Sequence, residues 1–82
     1  MDEDDATLEA TIVELLAARA PNATICPSDA ARAAHPDDWR EWMEPTRRAA
    51  ARLVADGTVT VTQRGRPVDL TATGPIRIRL NP

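Results

Sequence analysis

Eighty-two residues allow one small domain, because a chain of this length holds a single core and buries only about 60% of its unfolded surface. A composition of 43% apolar and 28% charged residues, with seven Pro and three Gly, excludes a collagen-like or low-complexity chain; one cysteine (Cys26) and one histidine (His35) exclude an intrachain disulfide and a Cys/His zinc site. The net charge of −3 hides two unlike parts: residues 1–45 carry eleven Asp/Glu against three Arg, a charge of −8, and residues 46–82 carry two against seven, a charge of +5.

Residues 1–5, with four consecutive acids from Asp2 to Asp5, read as a disordered acidic tail that complements the positive end of the helix after it. From Ala6 to Ala20 the apolar positions Leu8, Ile12, Leu15 and Leu16, continued by the stem of Arg19, form the stripe of an amphipathic helix, and Pro21-Asn22 ends it. Thr24-Ile25-Cys26 suits a short strand. Pro27 then opens a second helix, Pro27 to Ala34, with Cys26 at the N-cap and Asp29 near the positive end, until His35-Pro36 stops it.

Asp37-Asp38 caps a third helical region carrying Trp39, Trp42 and Met43 and ending at Asp56-Gly57, where glycine can take the left-handed conformation. Pro45 cannot donate to the carbonyl of Glu41, so this region is expected to kink or to divide, with Pro45 starting the longer piece. Thr46, Ala50, Leu53 and Val54 fall on one face, and Arg48, Ala51, Arg52 and Ala55 on the other. In a chain without Phe or Tyr, Trp39 and Trp42 are expected to anchor the core.

After Gly57 the period changes to two. Thr58, Thr60 and Thr62 alternate with Val59 and Val61, and Arg77 and Arg79 alternate with Ile76, Ile78 and Leu80, the pattern of half-buried strands. The segment Gln63 to Gly74 between them reads as a protruding loop of an antiparallel hairpin. Helix, short strand, helix, helix, strand, loop, strand is the order of an α+β winged helix-turn-helix domain, here residues 6–82.

No catalytic set stands out. Cys26 and His35 lie at opposite ends of a two-turn helix, about 12 Å apart at 1.5 Å per residue, and Asp37-Asp38 are better explained as caps than as a paired-carboxylate site. No enzyme activity and no cofactor or metal is expected. The basic residues form a more coherent set: Arg48 and Arg52 on the third helix, Arg64 and Arg66 around Gly65 at the hairpin loop, and Arg77 and Arg79 on the last strand. Were these six to share one side, they would suit phosphate and guanine, with a log-log salt slope of roughly −4 to −5 for binding. The expected partner is double-stranded DNA. The alternative is a protein partner or a second copy of the chain, because Asp37, Asp38, Glu41 and Glu44 would repel phosphate and the pI of about 5.0 is low for a nucleic-acid binder. No apolar run reaches the roughly 18 residues of a membrane span, and the acidic start is unlike a signal peptide, so a cytoplasmic setting is expected.

Four blocks, Thr24-Ile25-Cys26-Pro27-Ser28, Asp37-Asp38-Trp39-Arg40, Gln63-Arg64-Gly65-Arg66-Pro67-Val68-Asp69 and Gly74-Pro75-Ile76-Arg77-Ile78-Arg79, together resemble the small bacterial family known as domain of unknown function 3253. The resemblance covers nearly all of the chain after the acidic start. It implies a winged-helix-like fold and brings no established activity, ligand or catalytic residue.

Overall fold

The computed structural model describes residues 2–82; Met1, part of the expected tail, lies outside the described residues. The chain forms α1 (Glu3–Ala17), β1 (Thr24–Ile25), α2 (Pro27–Ala34), a 3-10 turn (Trp39–Trp42), α3 (Met43–Ala55), β2 (Val59–Gln63), β3 (Arg66–Pro67) and β4 (Arg77–Leu80). All four strands belong to one antiparallel sheet of order β1-β4-β2-β3. Three helices against such a sheet make an α+β fold compatible with the winged-helix arrangement.

The start of α1 departs from the expectation of a disordered tail. Asp5 N–H donates to Asp2 Oδ1 at 2.9 Å, and Asp2 N–H reaches Asp5 Oδ2 at 3.4 Å, a reciprocal capping box that begins the helix at Glu3. Each carboxylate accepts from an otherwise unpaired helix N–H while sitting at the positive end of the helix dipole, so the acids favour helix over coil. The other end stops at Ala17, three residues before the expected boundary, and the turn beyond places Asn22 at φ +70°.

Helix α2 has the expected bounds. Asp29 at its third position accepts from Cys26 N–H at 3.0 Å, the return half of a capping box, which holds the helix start although a thiol is a weak N-cap. The third helical region divides into the 3-10 turn and α3, with Pro45 in the first turn of α3, where no intrahelical donor is lost. Ala49 replaces Val54 on the buried face: Thr46, Ala49, Ala50 and Leu53 are buried, and Val54 is 41% exposed. Thr46 is kept there at no polar cost, since its hydroxyl donates to Trp42 O at 2.6 Å.

Leu8, Ile12 and Leu16 of α1 meet Ile25, Ala30, Ala49, Ala50 and Leu53 and the inward residues Val59, Val61, Ile76 and Ile78 in one core. The small residues of α2 and α3 permit the close helix approach that a core without Phe or Tyr requires. Neither tryptophan is fully buried. Trp42 packs against the core edge, stacked on His35 with ring centroids 3.6 Å apart and planes 2° from parallel, and its indole N–H donates to Asp38 Oδ2 at 3.1 Å. Trp39 lies outside, with the guanidinium carbons of Arg32 and Arg40 at 4.2 and 4.5 Å from its ring centre. Two cations over one indole hold it at the surface without a core contact.

The segment Gln63 to Gly74 does not protrude as one loop. Arg64-Gly65 makes a two-residue turn, β3 pairs back onto β2 (Thr62 with Pro67, Gln63 with Arg66), and Val68 N–H donates to Val61 O at 2.9 Å. Val68, Leu70 and Ala72 then pack on the core beside α3, where Arg47 donates to Leu70 O at 3.4 Å. Apolar residues at 68, 70 and 72 gain more from this burial than from exposure on a loop.

Candidate nucleic-acid interface

The strand register sets two faces. Val61 pairs with Ile78 and Val59 with Leu80 on the core side, while Thr60 pairs with Arg79 and Thr62 with Arg77 on the other; Thr24 of β1 also pairs with Arg79. The outer face is thus built of threonine and arginine, with Arg77 and Arg79 two residues apart on central strand β4. Arg77 is fixed by β1: its Nε donates to Thr24 Oγ1 at 2.9 Å and its Nη2 to Thr24 O at 3.2 Å.

At one end of the sheet, Arg64 and Gly65 have φ of +55° and +81°. Two successive left-handed residues between the paired Gln63 and Arg66 make a type I′ turn, which matches the twist of the strands it joins. Gln63 Nε2 donates to Thr73 O at 2.6 Å and Pro75 O at 3.2 Å, tying the returning chain to the end of β2. Between these parts lies an open cleft of about 560 Å³ lined by Gln63, Arg64, Thr73, Gly74, Pro75 and Arg77. It contains two arginines and no carboxylate. Asp29 lies within electrostatic reach of Arg77; its carboxyl is held below the usual aspartate range first by the backbone hydrogen bond from Cys26, and further by the charges of Arg77 and Arg19.

The six arginines expected on one side are divided. Arg64 and Arg77 converge on the cleft, and Arg79 continues the same face of β4. Arg66 pairs with Gln63, so strand alternation directs it to the opposite face at the edge of the sheet. Arg48 is exposed on α3, 3.9 Å from Glu44. Arg52 turns to α1, where its Nε donates to Glu9 Oε2 at 3.0 Å and its Nη2 lies 3.5 Å from Asp5 Oδ1. Of the three arginines of α3, Arg52 is held by two carboxylates, Arg48 is beside a third, and Arg47 is turned to the carbonyl of Leu70, so the helix offers a groove little free positive charge. None of Arg64, Arg66, Arg77 and Arg79 is in an ion pair among the described residues.

Sequence reasoning missed Gln63, Thr24 and Gly74, which position the cleft. Gly74, at φ +95°, was the readable signal: a Cβ there would also stand 3.1 Å from Gln63 Nε2. Cys26 and His35 sit at the two caps of α2; Sγ of Cys26 is 2.9 Å from Ser28 Oγ, and His35 Nε2 is buried without a hydrogen-bond partner. Among the described residues no group of three His, Cys, Asp or Glu could hold a metal ion, and no helix is long and apolar enough to cross a membrane.

Fold and site together define a small α+β domain that carries four arginines outside any ion pair, Arg64, Arg66, Arg77 and Arg79, on its sheet and turn. The family model described as protein of unknown function (DUF3253) matches residues 5–81, and the chain belongs to that family. None of the curated proteins compared matches it.

Proposed function

We propose that this domain is a non-enzymatic binding module for double-stranded nucleic acid that works through the turn and the outer sheet face rather than through α3. The supporting observation is that Arg64, Arg77 and Arg79 lie without ion-pair partners at one end and one face of the sheet, whereas Arg52 is committed to Glu9 and Asp5. Arginine recognises phosphate through paired N–H donors. The outer face carries no aromatic side chain for stacking on unpaired bases, and the exposed strip of α3 presents Ala51, Ala55 and the Glu44–Arg48 pair, a poor reader of base edges. Binding is therefore expected to be backbone-directed and salt-sensitive. Fluorescence anisotropy with a mixed-sequence duplex at low salt tests this reading: binding should weaken steeply with salt and on replacing Arg77 and Arg79 by Ala, and absence of binding rejects it.

A second reading, a protein-interaction or self-association domain, draws on a different feature. Val54, the exposed large apolar residue, borders an apolar groove between α3 and residues 68–71 formed with Ala51, Ala55, Val68 and Leu70. A concentration-dependent dimer in sedimentation, lost on Val54→Asp with the fold intact, would select this reading.

A further inference from the structure

We infer that the cleft between Arg64 and Arg77 is a seat for a single phosphate group, grasped by both guanidiniums; this deepens the nucleic-acid reading and rests on it for the identity of the phosphate's bearer. The two arginines come from separate elements, Arg64 from the β2–β3 turn and Arg77 from β4, and the backbone or a neighbour sets the place of each. Arg77 is anchored through Nε and Nη2 to Thr24, which leaves Nη1 for a ligand and fixes the plane of the guanidinium. Arg64 leaves the chain from a turn residue at φ +55°, a conformation that disfavours every residue with a Cβ and that asparagine or glycine would tolerate better. A long cationic side chain held at such a position, over a cleft free of carboxylates, points to use.

The rim is equally constrained. Gln63 spends its amide N–H groups on Thr73 O and Pro75 O, so the returning segment cannot swing over the cleft. Gly74 lines the cleft where a Cβ would stand 3.1 Å from Gln63 Nε2, so a side chain there would disturb the rim. Prior ordering of the Arg77 guanidinium by Thr24 reduces the entropy lost when an oxyanion is bound.

The test uses the whole chain with inorganic phosphate and with a mixed-sequence DNA duplex. Titration with phosphate, followed by nitrogen-15 NMR, should shift the Gly74 amide and the Nε–H resonances of Arg64 and Arg77. Arg64→Asn, which suits the turn, and Arg77→Gln should each suppress those shifts. On the duplex, one shared phosphate predicts that the double variant lowers the log-log salt slope by about one unit, and two separate phosphates predict about two. A loss near two overturns the shared seat. So does a phosphate titration that leaves the cleft unmoved or moves Arg19, Arg32 and Arg40 as much. Cleft shifts with phosphate but no duplex binding would keep the seat and reject nucleic acid as its bearer.

Discussion

Arg52 on α3 and Glu9 on α1, 43 residues apart in sequence, meet through a 3.0 Å hydrogen bond from Nε to Oε2. The side chains are 34% and 18% exposed, so the pair is screened on one side only and also fixes how the two helices cross. Arg52→Ala should destabilise the domain by about 1–2 kcal/mol, after discounting for partial solvent access, and lower Tm by roughly 4–16 °C. Duplex affinity at a temperature where the variant remains folded should be unchanged. Thermal melts and anisotropy on one variant separate the two roles.

The turn residue Arg64 gives the opposite expectation. Arg64→Asn places a residue that accepts left-handed φ in the type I′ turn and should raise stability by up to about 1 kcal/mol while weakening anion binding. Paired urea melts and phosphate titrations show whether stability and binding move in opposite directions.

Gly74→Ala meets two obstacles, the left-handed backbone at φ +95° and Gln63 Nε2 at 3.1 Å; Gly65→Ala meets the backbone alone, with no atom near the new Cβ. The first should cost about 1–3 kcal/mol and the second about 1 kcal/mol, read as the difference in urea midpoints.

Asp29 makes stability depend on acid. Its carboxyl titrates below the ordinary aspartate range in the folded chain, first through the backbone hydrogen bond from Cys26, so the unfolded chain takes up this proton first as pH falls. The stabilisation is complete above about pH 4, the unfolded range of aspartate, and disappears as pH falls through the lower folded value. Asp29→Asn should therefore melt below the parent at pH 7, and the gap should close in strong acid.

The tryptophans should differ. Trp42→Ala removes a ring that packs on the core edge and stacks on His35, at about 2–4 kcal/mol, whereas Trp39→Ala removes exposed cation–π contacts worth under about 1 kcal/mol each. Chemical denaturation of the two variants gives the comparison.

What could be read from the chain was local. The bounds of α2 follow from Pro27 and His35-Pro36, and the outward placing of Arg77 and Arg79 follows from alternation with Ile76, Ile78 and Leu80. The reciprocal Asp2–Asp5 box is also local, but its three-residue spacing is hidden within a run of four acids whose charge alone suits a tail as well as a helix start. The remaining differences come from tertiary choice. Whether Arg52 faces a groove or Glu9 depends on how α1 crosses α3, and whether Val68 and Leu70 protrude depends on a core that must collect apolar surface from its loops. For the site, periodicity identified the arginines of β4, while the convergence of Arg64 with Arg77 depends on a turn whose type Arg64 itself does not favour.

The strands at the two borders of the sheet, β1 and β3, have two residues each, and β3 includes Pro67, which has no N–H to offer. A neighbouring molecule would find almost no free ladder on which to add a strand, so fibril-like stacking through the sheet is closed off. Copies of the domain held at high concentration would then have little edge through which to join sheet to sheet.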